Sequence, residues 1–539
     1  MLGIADWLVL SGYLLLVAWI GFAAGRGQRT TEDYFLGGRR IPWWVAGLSI
    51  IATETSALTF IGAPTQSLRG DWTYLQLAFG SVLARFLVAG LLIGVYYRAR
   101  VFSVYGWLGR RFGPFSRGAA SLLFFLGRSL GSGVRLYGAA IALVVLVDLD
   151  FPLAIALLAL VAVAYTIAGG IRSVVWTDAL QGVLLVGGGV LALVWLGLRH
   201  EGGIAEAFTT LADSTTPGGG AKLRILDLSW SLRDSYTLFA GLVASTFLTM
   251  STHGTDQDMI QRALSCRGER AGRASLWLSA FLNIPIVLLF LAVGSMLWLH
   301  YGGDEGAARA AALLAKKAGE ANPAKGYDYL FPFYVVSELP AGIKGLILAG
   351  LFAAAMSSLD SAIAALSSTA VKCIWQPYVA PGREEGYYLK VSRGFALFFG
   401  AVLAGIALLV WVSRGSGGAR EGFGVLMLGL KVLTWIFPPL LGIFLCGVLT
   451  DRGGDLGNLV ALAFGIGTLL FVEFWKDLDR SFPDLGLGEH APWGWIWNGT
   501  IGCLLSFGLA LLFRGPGRSA VVVEEGSARG WGSGGGREA

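Results

Sequence analysis

Residues 41–62 read IPWWVAGLSIIATETSALTFIG, an apolar run of membrane-spanning length interrupted near its middle by Ala52-Thr53-Glu54-Thr55-Ser56. A charged side chain at bilayer depth costs roughly 3 kcal/mol or more, so Glu54 is expected to face a partner or a water-filled path. The small and hydroxylated residues around it let the backbone unwind. Irregular backbone at that depth is tolerated only where it lines a cavity or is buried in protein, and carbonyls freed by such a break turn toward a cation. The segment therefore reads as a transport site.

The rest of the chain agrees. Of its 539 residues 55% are hydrophobic and only 14% charged, and the mean hydropathy is +0.65, which excludes an ordinary soluble globule and implies an all-α integral membrane protein. The net charge of +6 comes largely from arginines in a few connections. It reports topology and contact with anionic lipid, and no basic, aromatic-interleaved run suggests a nucleic-acid partner.

Apolar runs of about 20 residues predict about 13 transmembrane helices, near 6–24, 42–67, 73–97, 115–147, 152–169, 173–198, 235–261, 274–300, 342–374, 389–412, 422–449, 456–475 and 491–513. Asp6 precedes the first run and Arg26 follows it, the reverse of a signal peptide, so it is kept as a mature helix with its N-terminus outside. An odd helix count then puts the C-terminus in the cytoplasm. Arg26, Arg29, Arg39 and Arg40 share one connection, Arg98, Arg100, Arg110 and Arg111 another, and Arg262, Arg267, Arg270 and Arg273 a third, all on the side expected to be cytoplasmic. Two longer outside segments lie near 200–234 and 301–341, and the Gly/Ser-rich tail 515–539 reads as disordered. This topology makes the plasma (inner) membrane the expected location.

Enzymatic readings find no support. The four histidines show no metal-ligand spacing, and no GxSxG, HExxH or Walker A pattern is present. Cys266, Cys373, Cys446 and Cys503 are expected to form no disulfide. No catalytic residue and no cofactor is assigned.

The densest polar constellation lies on the ninth predicted helix, in Ala353-Ala354-Ala355-Met356-Ser357-Ser358-Leu359-Asp360-Ser361. Spacings of three and four place Ser357, Ser358, Asp360 and Ser361 on one broad face. Hard cations take several oxygen ligands, and neutral hydroxyls and carbonyls suit a weakly held monovalent ion. Small residues also pack helices closely, but packing gives no reason for Asp360. Asp178, after the Gly169-Gly170 break, reads either as a cap that satisfies a helix N-terminus or as an ion ligand. Arg128 and Arg135 are seven apart on nearly one helical face. A guanidinium is the natural bidentate partner of a carboxylate, so Arg135 points either to a carboxylate-bearing solute or to an internal pair with Glu54. Lys431 attracts an anion or balances a carboxylate. Asp256 and Asp258 are expected to bond with Gln261 or Arg262 in a structural role.

Five pieces together carry a family resemblance: Asp33-Tyr34-Phe35-Leu36-Gly37-Gly38 with Ile41-Pro42-Trp43-Trp44; the stretch Ala52 to Gly62; Gly169-Gly170-Ile171-Arg172 with Trp176-Thr177-Asp178; Thr255-Asp256-Gln257 with Gln261-Arg262; and Met356-Ser357-Ser358. In this order they resemble the sodium/solute symporters, the group with sodium-coupled sugar, monocarboxylate and sialic-acid transporters. The resemblance implies an inverted five-plus-five helix repeat. Its parts would be a first helix and connection over 1–40, repeats over 41–200 and 235–450 around an outside loop at 201–234, and two peripheral helices over 451–514.

The resemblance further implies sodium as the coupling ion. Its site would use backbone oxygens of Ala52, Thr55 and Ala354 with the hydroxyls of Ser357 and Ser358. A second cation would fall to Asp178, Ser357, Asp360 and Ser361, and a carboxylate at Asp360, where the family often has serine or threonine, leaves sodium and proton both open. Substrate-facing groups would be Glu54, Thr59, Gln76, Arg135, Thr249, Thr252 and His253. The absence of an aromatic gate near Thr252 argues against hexose. The implied activity is sodium-driven import of a small organic solute, carboxylate-bearing in preference to a neutral sugar or polyol, with a proton-coupled version as the rival.

Overall fold

The computed structural model describes residues 2–55, 57–147, 149–317, 323–415, 422–482 and 491–515. Ser56, His490 and the tail expected to be disordered, Gly515 apart, lie outside the described residues. The architecture is all-helical, with only isolated bridges such as Ile41 to Cys266 in place of strands among the described residues. The helices that position the site are α1 (Ile4–Ala24), α2 (Trp43–Glu54), α3 (Ala57–Arg69), α4 (Gln76–Val88), α5 (Pro114–Val147), α6 (Phe151–Arg199), α7 (Ser245–Thr255), α8 (Gln257–Leu264), α9 (Glu269–His300), α10 (Ile343–Thr369), α11 (Glu385–Gly415), α12 (Gly422–Leu449), α13 (Asp455–Glu473) and α14 (Asn498–Leu511).

Eight helices among the described residues are long and apolar enough to cross a membrane, or nine if the bent pair α2 and α3 is one span. The thirteen expected spans differ from these for local reasons. The runs expected at 152–169 and 173–198 count there as the single element α6, but they are two helical segments that meet at a kink at Gly170, so the expected break is present. There φ is 53° and ψ −152°, a conformation open to glycine, and a Cβ would sit 2.4 Å from the Tyr34 carbonyl oxygen. The run expected as one helix over 235–261 is instead a wide π turn at Ala240–Ala244 followed by α7 and α8. Asp256 makes the break. Its backbone is extended, and its Oδ1 accepts from the Asp258 N–H at 3.0 Å, capping α8. The last expected span is shortened to Trp495–Leu511, a 3-10 turn running into α14.

Lipid-facing positions are the large exposed apolar side chains of the outer helices, such as Leu15 (71%) on α1 and Leu409 (70%) on α11. The inner faces carry the polar residues. Gly182 lets α6 approach α2, since a Cβ there would lie 3.1 Å from that of Ala52, and Gly350 does the same for α10 against the Leu184 carbonyl of α6. Such small-residue contacts are how membrane helices pack closely.

Two anchors were not foreseen. Asp6 of α1 is buried, and its Oδ1 accepts from the Gly342 and Gly345 N–H groups at 2.8 Å each, closing the N-terminus of α10. Its Oδ2 accepts from the Gly3 N–H at 2.8 Å. Lys222, in the segment expected outside, is fully buried. Its Nζ donates to the Leu68 carbonyl at the end of α3 at 3.1 Å and lies 4.6 Å from the Trp298 ring centre. Burial lowers its pKa to about 8.

Candidate functional site

The helix break expected around Glu54 is present. α2 ends at Glu54, Thr55 leaves helical geometry at φ −79° and ψ 79°, and the chain resumes as α3 at a bend of 59°. Thr53, two residues before the break, turns its hydroxyl back to the Ser49 carbonyl at 3.0 Å, a bond that competes with the helical ladder.

α10 crosses this break. The Ser357 hydroxyl lies 3.2 Å from the Ala52 carbonyl oxygen and 3.2 Å from that of Ala354, and the Ser358 hydroxyl is 3.3 Å from the Ala354 oxygen. Four of the five residues of the expected sodium set therefore have oxygens within hydrogen-bonding reach of one another. Thr55, the fifth, is buried at the break. These are neutral oxygens from two different helices, a donor set suited to a hard monovalent ion. No group of three His, Cys, Asp or Glu side chains arranged for a metal is found among the described residues.

The acidic residues of the expected second set are in a denser network. Asp178 lies two turns into the second half of α6 and does not cap it. Its Oδ2 accepts from the Ser49 hydroxyl at 2.6 Å, from Arg262 Nη2 at 3.0 Å and from the Thr53 hydroxyl at 3.3 Å. Its Oδ1 is buried without a hydrogen-bond partner. Asp360 accepts at Oδ2 from the Tyr165 hydroxyl and at Oδ1 from the Ser361 N–H, both at 2.5 Å. The Ser361 hydroxyl reaches Asp258 Oδ2 at 3.4 Å.

Arg262 is the hub. Besides Asp178 it donates from Nε to the Ser49 hydroxyl at 2.8 Å and from Nη1 to Asp258 Oδ1 at 2.9 Å, and from Nη2 to the Thr53 hydroxyl at 2.6 Å. Asp258 and Asp256 also hold Arg128 of α5, the latter at 3.0 Å. The expected Asp258 to Arg262 bond is thus part of a larger buried network in which charges of α5, α6 and α8 are joined to hydroxyls of α2 and α10. The part played by Arg128 was missed because its partners lie 128 and more positions away and no local spacing signals them.

The residues expected to face substrate are distributed unevenly. Glu54 pairs with the fully buried Arg85 of α4, and His253 Nε2 stands 3.8 Å from the same carboxylate oxygen. His253 is itself buried, with Nδ1 3.3 Å from the Thr249 carbonyl and 3.2 Å from the Thr252 hydroxyl. Thr249, Thr252 and Thr59 are half-buried. Gln76 is fully buried, and both ends of its amide are used inside the protein: Nε2 donates to the Tyr236 carbonyl at 2.8 Å and Oε1 accepts from the Asp227 N–H at 3.1 Å. Lys431 pairs with Glu473 of α13.

Arg135 differs from these cations. Its Nε and Nη1 are buried with no hydrogen-bond partner, and it makes no ion pair among the described residues. The pair with Glu54 that the sequence left open is taken by Arg85 instead.

Comparison with known proteins gives a consistent picture. The family model described as the sodium:solute symporter family matches residues 34–465. A sodium/sialic acid symporter of Proteus mirabilis is 29% identical over 485 residues, covering 89% of this chain and 92% of that protein. Human sodium-coupled monocarboxylate transporter 1 is 26% identical over 490 residues, covering 90% of this chain and 76% of that protein. Among solved structures, a Na+-coupled sialic acid symporter in a substrate-bound, outward-open state superposes with a TM-score of 0.78 at 26% identity, over 95% of this chain and 97% of the other.

Proposed function

The chain belongs to the sodium:solute symporter family, and from that premise we propose that it imports a small carboxylate-bearing organic solute together with sodium. It is a multi-pass membrane transporter, and no enzymatic activity is assigned to it. In this reading sodium binds where the Ser357 and Ser358 hydroxyls meet the Ala52 and Ala354 carbonyls, with Thr55 completing the set, and draws α10 against the broken end of α2. Asp178, Asp360 and Ser361 serve a second cation. The inward sodium gradient then drives alternating access through movement of one five-helix repeat against the other, with the arginine-rich connections toward the cytoplasm of a plasma membrane.

The observation that carries the substrate class is Arg135. A buried guanidinium with unpartnered N–H groups is costly unless an anion completes it, and its fork matches a carboxylate. The solutes named for the relatives, sialic acid and monocarboxylates, both bear one. Glu54, held by Arg85, orders the neighbouring wall with His253, Thr249 and Thr252, and Thr59 adds a hydroxyl.

The test is uptake of labelled N-acetylneuraminic acid, short monocarboxylates and glucose into proteoliposomes under an inward gradient of sodium or of an impermeant cation. Sodium-dependent uptake of a carboxylate supports the reading. Sodium-dependent uptake of glucose alone overturns the substrate class, and uptake that follows external acidity without sodium overturns the coupling ion.

A further inference from the structure

Outside the ion and substrate sites a cavity of about 690 Å³ opens between the start of α5 and the continuation of α10. Its walls come from residues 101–117 and 372–385, and none of the residues assigned above to sodium or substrate lines it. Arg110, Arg117 and Lys372 converge on it with Ser103, Gln376 and Glu385. It shares the stretch 98–111 with an arginine-rich connection expected to face the cytoplasm.

The hydrogen bonds that orient the three cations go to neutral groups. Arg110 Nη1 donates to the Ala99 carbonyl at 2.6 Å. Arg117 donates from Nη2 to the Tyr378 hydroxyl and lies 5.0 Å from that ring's centre, while its Nε is buried without a partner. Lys372 Nζ donates to the Thr31 hydroxyl at 2.7 Å and to Gln376 Oε1 at 3.0 Å, and sits 4.3 Å from the Phe102 ring centre. None of the three is in an ion pair among the described residues. The one carboxylate in the wall, Glu385, accepts from the Thr31 N–H at 2.7 Å.

This contrasts with the buried arginines of the core, where Arg85, Arg128 and Arg262 each meet a carboxylate. Positive charge here is oriented and only partly balanced, since Glu385 and Glu32 act on Lys372 without pairing with it and three cations face one carboxylate in the wall. The volume is within the range of small-molecule sites and much larger than a halide needs. Two guanidinium forks and an ammonium are the donor set that recognises phosphate.

We infer that this cavity is a binding site for a phosphate-bearing anion, separate from the transport path. The same chemistry has two sources, the headgroup of an anionic phospholipid and a soluble phosphate. Phe115 and Tyr378, exposed at 59% and 57% within the two wall segments, give acyl chains an apolar surface to follow.

The test uses the full chain in nanodiscs of phosphatidylcholine alone or with phosphatidylglycerol, each with and without inorganic phosphate, and reads the apparent unfolding temperature. A bound anion should raise it by about 2 °C or more, and Arg117→Gln and Lys372→Gln should each lose most of that rise. Where Arg117→Gln does not fold, Arg117→Lys keeps the charge without the fork and should lose part of it. A rise with phosphatidylglycerol that inorganic phosphate does not reproduce supports a lipid headgroup. A rise with phosphate in phosphatidylcholine discs that phosphatidylglycerol does not exceed supports a soluble ligand. No rise in the wild type, or an equal rise in wild type and variants, overturns the site.

Discussion

Arg262 and Asp178, 84 positions apart in the chain, form a 3.0 Å hydrogen-bonded ion pair in which neither side chain has any solvent access. The pair ties α8 to α6 beside the broken end of α2. Removing one partner of a buried pair strands the other charge, a loss of typically about 3–5 kcal/mol. Arg262→Met should therefore lower the thermal stability of the purified protein strongly. The double variant Arg262→Met/Asp178→Leu should recover part of the loss, because Asp258 keeps Arg128 as a partner. A double variant no more stable than Arg262→Met would show that the pair is not the source of the effect.

Ser358→Ala deletes one hydroxyl from the proposed sodium set and leaves the helix backbone intact. Losing one neutral ligand of several should weaken sodium about tenfold, or roughly 1.4 kcal/mol, with normal expression. The sodium dependence of uptake is the measurement, and an unchanged half-saturation concentration would remove Ser358 from the site.

Arg135→Gln should discriminate between solutes. Hydrogen bonds to charged groups contribute about 1.5–3 kcal/mol, so apparent affinity for a carboxylate should fall by roughly 10–100-fold. Competition by the matching amide should change little. Equal loss for acid and amide would mean that Arg135 acts on the fold and not on the charge of the solute.

Lys222 sets an alkaline dependence. Burial lowers its pKa to about 8 from an ordinary 10.5. Between those values the unfolded chain holds a proton that the folded chain has released, so stability rises with pH from about 8 toward 10.5. Below 8 both states are protonated and the contribution stays flat at its lowest level. The unfolding temperature of the wild type should therefore gain on that of Lys222→Met as pH rises through this window, and a constant difference would contradict it.

What was legible in the sequence, and what was not, divides by range. The break at Ala52 to Thr55 stood out because polar residues inside an apolar run have few structural explanations, and the serines of α10 stood out because three- and four-residue spacings map directly onto one helical face. The Arg128 pairing and the Asp6 cap were invisible for the opposite reason: each joins residues hundreds of ångströms apart along an extended chain, and only packing brings them together. Gln76 looked like a free polar group on an apolar helix, yet its amide is consumed by the backbone of the segment folded over it. The Gly169-Gly170 pair was read as a gap between helices. Its second glycine makes that break, since only a residue without Cβ fits under the Tyr34 carbonyl.

The Asp6 cap makes α1 a practical handle. This helix lies outside the expected repeats and shows much of its surface to lipid, with Leu8 68% and Leu15 71% exposed, so a fluorophore or spin label placed there disturbs no ion ligand. Yet its carboxylate grips the first turn of α10 through two amide hydrogen bonds. A probe on this exposed helix would then travel with the helix that carries the serines, reporting their motion from a position any reagent in the bilayer can reach.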